Sequence, residues 1–243
     1  MTDINRLLKT ELIELCKKRG ITGYSNKSKE QIINLLQKSE KNISNDKKSQ
    51  KICFIDTETT GLPSRKSFNS YYDPSDLEKY SSSRVIEIGY IILEIIDNKI
   101  TSKKEYSSLI KPDNFNINNS EIHGITQEEC NNKGIEFTLF LNTFIQDMKD
   151  VDLIVAHNLL FDRNILLSEI YRYDKSFYDI FKSKKGLCTM DLGKSKMNIK
   201  KSPKLVELYK FLFNEDFLQQ HRALDDVIKC MKCYCKMNDV KYD

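Results

Sequence analysis

Lys51-Ile-Cys-Phe-Ile-Asp56-Thr-Glu58-Thr-Thr-Gly61 decides how the rest of the chain is read. The run up to Ile55 is apolar and β-favouring, so it predicts a buried strand, and a strand's pleat sends residues two apart to one face. Asp56 and Glu58 therefore project together where the strand gives way to a glycine-containing turn. Two carboxylates held that close repel each other and resist ionisation unless hard cations neutralise them. The bland alternative is a solvated turn whose acids face water.

Two further segments bear on that choice. Ala156-His-Asn-Leu-Leu-Phe-Asp162 follows the apolar strand Leu153–Ala156 and precedes a helical pattern through Ile165, Leu166 and Ile170. His221-Arg-Ala-Leu-Asp-Asp226 heads the last long helix. Each has an ordinary reading, Asp162 as an acid opposing a helix dipole and His221 as an incidental histidine. Helical spacing does not choose between Asp225 and Asp226. Leu224, Val227, Ile228 and Met231 define the apolar face, and neither acid is expected on it.

Taken in order and at these local spacings, the four acids and the histidine resemble the DEDDh class of 3′→5′ exonucleases, over roughly residues 50 to 240. The resemblance implies an α/β, RNase H-like fold, a mixed β-sheet flanked by helices. It also implies hydrolysis of phosphodiester bonds at nucleic-acid 3′ ends, releasing 5′-mononucleotides. By the same likeness Asp56, Glu58, Asp162 and Asp226 hold two Mg²⁺ or Mn²⁺ ions, with Asp56 bridging both, Glu58 and Asp226 completing one, and Asp162 acting on the other. His221 would deprotonate the attacking water. Two metals suit a reaction that develops charge on the entering and the leaving oxygen, and a histidine exchanges protons near neutral pH. The family interval of five residues from His221 selects Asp226, with Asp225 as fallback, and sets His221 in the loop before the helix.

Smaller matches extend the likeness. Ser120-Glu-Ile-His123-Gly-Ile-Thr126 resembles the segment that presses on the terminal base, with Ile122 and His123 in contact, although Thr126 and Glu129 also read as a capping box. Thr59, Thr60 and Leu62 would line the terminal nucleotide, while Asn158 and Phe161 flank the strand; His157 reads as structural. DNA is the favoured polymer. The alternatives are an exonuclease that trims RNA 3′ ends and a non-catalytic protein that binds nucleic-acid termini. No polymerase segment is recognised, so a polymerase or repair partner would be a separate chain.

The first 38 residues are a different matter. Ile4, Leu7, Leu8, Leu12 and Leu15 recur at helical spacing, Gly20 closes that helix, and Ile32, Ile33, Leu35 and Leu36 begin another after Ser28. This pair resembles a SAP-type helix-loop-helix, a family that binds nucleic acid. Residues 39–50, polar and lysine-rich, read as a flexible linker to a catalytic domain at 51–243. Residues 1–50 hold 11 Lys or Arg against 6 Asp or Glu, a net of +5; the whole chain is +4, which leaves −1 for residues 51–243. The basic excess thus sits in the appendage, where it suits a polyanionic partner.

The remaining composition bounds the setting. The sequence contains no apolar run long enough to span a membrane and no signal-peptide core at its start, which predicts a soluble intracellular protein, cytoplasmic or nuclear. Seven scattered cysteines predict free thiols, and Cys230, Cys233 and Cys235 lack the paired cluster a zinc site needs. Strands are expected near Ile52–Ile55, Val85–Ile96, Ile100–Ile110, Leu153–Ala156 and Leu187–Thr189, with Asp97-Asn-Lys99 as a tight hairpin turn. Helices are expected over Glu136–Met148, Asp162–Tyr171, Pro203–Phe213 and Arg222–Met237. Residues 63–83, rich in Ser, Tyr and charge, read as an inserted loop, a disordered excursion in preference to a lid.

Overall fold

A computed structural model describes residues 7–18, 21–36, 49–67, 70–219 and 221–241. The chain divides into two compact units, Met1–Lys48 and Ser49–Asp243. Ile4, Gly20 and most of the expected linker lie outside the described residues, and Gln50 already opens the first strand.

In the first unit, α1 (Lys9–Lys18) and α2 (residues 29–36) enclose a four-residue core of Leu12, Cys16, Ile32 and Leu36. Leu8, expected on the inner face, is 67% exposed, because the helix begins only at Lys9. The head of α2 is a reciprocal cap: Gln31 N–H donates to Ser28 Oγ at 3.3 Å and Ser28 N–H donates to Gln31 Oε1 at 2.9 Å.

The second unit is built on a five-stranded sheet in the order β5-β4-β1-β6-β7. Its strands are β1 (Gln50–Thr59), β4 (Val85–Ile96), β5 (Lys99–Leu109), β6 (Leu153–Ala156) and β7 (Lys185–Cys188). β1 runs antiparallel to β4 and parallel to β6, which itself runs parallel to β7, so the sheet is mixed. The β4–β5 hairpin turns on Asp97 and Asn98, both at positive φ (52° and 59°), the conformation a two-residue primed turn demands.

The pleat of β1 distributes the core. Cys53 and Ile55 face α5 (Phe137–Met148), α6 (Leu159–Tyr173) and α7 (Lys175–Ser183). Ile52 and Phe54 face α9 (Leu205–Phe213) and α10 (Ala223–Met237) on the opposite side. Helices therefore cover both faces, the RNase H-like arrangement the sequence implied. One-turn α3 (Ser120–His123), α4 (Gln127–Lys133) and α8 (Thr189–Met197) are the other helices among the described residues.

The segment 63–83 is not a disordered excursion. It carries the short hairpin β2 (Arg65–Ser67) with β3 (Ser70–Tyr71) and a 3₁₀ turn at Leu77–Tyr80. Tyr80 is fully buried and its hydroxyl donates to Tyr72 O at 2.7 Å. Asp73 accepts from Tyr178 Oη at 3.0 Å and Lys182 Nζ at 3.1 Å, and Arg172 Nη2 donates to Leu77 O at 3.1 Å. The tyrosines that made this stretch look polar supply the aromatic surface that packs it onto α6 and α7.

Candidate active site

The site forms where β1 passes the heads of α6 and α10. Alternation along β1 aims Asp56 and Glu58 toward the α10 face and Thr57 toward α6. The strand continues through both acids to Thr59, further than the apolar run alone indicated. Thr57 then holds Asp162: its N–H and its hydroxyl both donate to Asp162 Oδ1, at 3.1 Å and 2.9 Å. Asp162 lies in the first turn of α6 and is 2% exposed. The helix begins at Leu159, three residues ahead of the expected start, because Asn158 turns the chain in left-handed conformation (φ 81°).

Asp226 reaches the site from α10. Contrary to the sequence expectation, it does lie on the buried face, with Ala223, Val227 and Cys230, and is 5% exposed, whereas Asp225 faces solvent. The face was misjudged because Leu224 and Ile228 are only partly buried, while Ala223 and Cys230 form the true inner row. His221 stands just outside the helix at φ 51°. Ligand atoms of Glu58, His221 and Asp226 all lie within 4.8 Å of one another, a spacing suited to a shared metal ion.

The electrostatics are those of a site built for cations. Burial, then the neighbouring Asp162, Asp226 and Glu58, pushes the Asp56 carboxyl well above the usual carboxylate range. Burial, then Asp226 and Glu87, raises Glu58 to about 8. Burial raises Asp162 to about 7 against the opposing hydrogen bonds from Thr57. Asp226 is also raised by burial, while Gln219 Nε2, donating to its Oδ2 at 2.6 Å, pulls the other way. Acids in mutual repulsion with so few donors need external positive charge to ionise at neutral pH.

The expected contact residues are placed unevenly. Leu62, in the turn after β1, and Ile122, on α3, are exposed apolar side chains, at 67% and 60%. His123 is buried; its Nδ1 accepts from Ile125 N–H at 3.1 Å, and its Nε2 finds no partner among the described residues. Thr59 Oγ1 donates to Gly61 O at 2.8 Å and Thr60 Oγ1 to Ser82 O at 3.1 Å, so both hydroxyls brace the turn. Phe161 packs partly buried against the core. His157 is structural, with Nδ1 3.0 Å from Thr189 Oγ1 and Nε2 3.1 Å from Pro203 O; burial lowers it to about 4. The three cysteines of α10 are buried free thiols outside this cluster.

Several residues that build the site were not singled out from the sequence. Glu87, 2% exposed on β4 and opposite Glu58 in register, receives Arg222 Nε at 3.0 Å, Arg222 Nη2 at 2.7 Å and Ala223 N–H at 2.9 Å. It thus caps α10 from across the sheet and fixes the residue that follows His221. Gly89, paired with Asp56, lets that helix head descend: a Cβ there would lie 2.6 Å from Leu224 N. On the other side Arg84 Nε donates to Glu169 Oε1 at 2.6 Å and Nη2 to Oε2 at 3.1 Å, tying β4 to α6. The available signal was Glu87 itself, a charge amid the apolar run Val85–Ile96, for which a buried partner had to exist.

Comparison with known proteins places this architecture. The RNase T family model, described as an exonuclease, matches residues 53–234. DNA polymerase III subunit epsilon from Buchnera aphidicola subsp. Schizaphis graminum (strain Sg) is 35% identical over 133 residues, 54% of this chain and 50% of that protein. The chain thus spans about half the length of this curated relative. Among solved structures, a 3′-exonuclease that recognises the histone mRNA stem-loop has TM-score 0.59 at 16% identity, over 96% of this chain and 81% of that one. Exonuclease I gives 0.58 at 16% identity, over 79% and 41%. At such identities the likeness is one of fold.

Proposed function

Because the chain belongs to the RNase T exonuclease family, we propose that it is a metal-dependent 3′→5′ exonuclease that releases 5′-mononucleotides from DNA ends. The observation that carries this reading is the convergence of Asp56, Glu58, Asp162 and Asp226 beside His221. Their fit to divalent ions follows from the donor set: carboxylate oxygens crowded until burial and repulsion hold protons on them. The guanidinium of Arg222 is turned to Glu87 and only weakly offsets that repulsion.

Asp56, Glu58 and Asp226 would hold one Mg²⁺ or Mn²⁺, and Asp56 with Asp162 a second. Bound there, such ions neutralise charge on the phosphate and on the oxygens that enter and leave. The protein's own groups do the rest. His221 takes the proton of the attacking water, held near Glu58 and Asp226 by its left-handed backbone and by the neighbouring Arg222 anchor. With Nδ1 accepting from Ile125, the neutral ring of His123 carries its proton on Nε2, which is buried and would have to be uncovered to donate to the terminal nucleotide. Exposed Leu62 and Ile122 offer apolar surface to the terminal base, while the Thr59 and Thr60 turn and the Asn158 and Phe161 loop bound the strand on either side.

DNA is proposed over RNA on the strength of the epsilon-subunit relative. The basic first unit, residues 1–38, is proposed as a SAP-like nucleic-acid tether joined through 39–50 to the catalytic part, raising the local concentration of substrate. The test uses end-labelled DNA and RNA strands of matched sequence with Mg²⁺ or Mn²⁺. Stepwise shortening of DNA from the 3′ end, abolished in Asp56→Ala, is expected. No degradation by the intact protein, or equal degradation by the variant, overturns the enzyme; faster loss of RNA overturns the choice of polymer.

A further inference from the structure

Beside the acids, on the rim formed by the carboxyl ends of β6 and β7, lies a cleft of ≈ 660 Å³ to which the four acids do not contribute. Its walls are the β2–β3 hairpin, through Arg65 and Tyr71, and the heads of α6 and α8, through Asn158, Arg163 and Lys194. It adjoins the proposed site directly, since Asn158 lies one helical turn before Asp162. Three cationic side chains line it against the single carboxylate of Asp191.

We propose that this cleft binds the sugar-phosphate backbone of the substrate strand on the 5′ side of the bond to be cut. The inference rests on the exonuclease reading and adds the path the strand follows. Charge is the first argument. Residues 51–243 sum to −1, yet residues 192–206, which lead from the α8 wall past Ser202 at the lip, contain five lysines and no acid. Lys194 lines the cleft half-buried, and Lys200 and Lys201 immediately precede Ser202 at the lip and, with Lys196 and Lys204, are exposed. A phosphodiester chain is the ligand that a row of lysines on one side of a cleft attracts without reading sequence.

Rigidity is the second argument. His157 receives no role in the chemistry, but its ring spans Thr189 at 3.0 Å and the Pro203 carbonyl at 3.1 Å, fastening both ends of the lysine segment to the loop that precedes α6. The opposite wall is held by Arg65, stacked 5.0 Å over Tyr71 and donating to its hydroxyl at 3.0 Å. The floor stays low at Gly186, where a Cβ would lie 2.5 Å from Leu159 Cδ2 and 3.0 Å from Arg163 Nη1. An aromatic edge facing a cationic wall is the arrangement by which proteins hold single strands.

The test is the triple variant Lys194→Ala, Lys200→Ala, Lys201→Ala in the full chain. Three measurements are compared with the parent: hydrolysis of the p-nitrophenyl ester of thymidine 5′-monophosphate, KM on a strand of about twelve nucleotides, and anisotropy binding of that strand with Ca²⁺. The ester ends before the cleft, so its hydrolysis is expected to remain within about twofold while KM and Kd for the strand rise about tenfold near ~0.1 M salt. The slope of log Kd against log salt should flatten by about 2, roughly 0.7 for each lysine removed. Unchanged KM and salt slope with ester hydrolysis intact overturn the cleft and leave the exonuclease reading standing. Equal loss of ester and strand hydrolysis also overturns it, because the lysines would then act on the chemistry or the fold. Should the parent cleave neither substrate, the exonuclease reading fails, and equal Kd values for parent and variant still decide against the cleft.

Discussion

The heads of α6 and α10 each bring one acid to β1, and they are held differently. At α6, Asp162 accepts two hydrogen bonds from Thr57 and is almost sealed from solvent, while Arg84 and Glu169, with side chains 11% and 3% exposed, bind the helix to β4 two turns further on. At α10, Asp226 accepts from Gln219, a loop side chain, and the helix head hangs on Glu87 and Arg222, whose side chain is 42% exposed. The first acid is part of the scaffold. The second, with His221 beside it, belongs to a segment that one partly wetted ion pair keeps in register. Under the proposed mechanism this would set a metal ligand on the rigid side and the proposed base, His221, on the side that can adjust.

The largest expected effect tests whether both sides act in one reaction. Asp162→Asn and Asp226→Asn should each lower kcat on the order of a thousandfold, about 4 kcal/mol of barrier. A variant that keeps a tenth of parental kcat removes its acid from the site. Stability should separate the two sides next. Glu169→Ala leaves Arg84 buried without its partner and should destabilise by roughly 3–5 kcal/mol, lowering Tm by about 10 °C. Glu87→Gln should cost less, on the order of 1–2 kcal/mol because Arg222 retains water, yet reduce kcat at least tenfold with KM little changed. If Glu87→Gln and Glu169→Gln lower kcat alike at equal Tm loss, the asymmetry is refuted.

The pH dependence of the metal-free protein is a smaller signal. Glu58 at about 8 and Asp162 at about 7 lie above ordinary carboxylate values, so in chelator the folded chain binds more protons than the unfolded one. Stability from these groups is then full below their unfolded values of about 4, and is lost progressively as pH rises from there through the folded values of about 7 and about 8. Denaturant midpoints in EDTA should fall across that window, and saturating Mg²⁺ should abolish the fall. A flat profile in EDTA would contradict the crowding of the acids. The smallest effect belongs to Asp225→Asn, expected to leave kcat within about twofold because that side chain faces solvent. A loss matching that of Asp226→Asn would reverse the assignment of the two neighbours.

Much of this was legible in one dimension because it follows from short-range periodicity. The β1 alternation put Asp56 and Glu58 together, Thr126 was readable as the cap of α4, and Asp97-Asn-Lys99 announced its own turn. Besides one-turn α3, two longer helices escaped notice. α8 carries Gly193 and Ser195 amid lysines and shows little apolar face, whereas α7 did offer a signal in Asp174, its N-cap, followed by Phe177, Tyr178 and Phe181. The segment 63–83 was misjudged because composition counts tyrosine as loop-like until a partner surface is present to bury it.

Sequence by itself determined the strand-borne acid pair, the five strands of the main sheet and the charge contrast between the two units, since these depend on residue type and on intervals of two to four residues. Only the tertiary structure showed Asp226 to be buried and Asp225 exposed, found Glu87 and Gly89 as the reason α10 can approach β1, and showed Lys194 to line a cleft beside the acids. The physical reason is distance along the chain. Glu87 meets Arg222 across 135 residues and Thr57 meets Asp162 across 105, and no local pattern records which buried charge will find which partner once the helices close on the sheet.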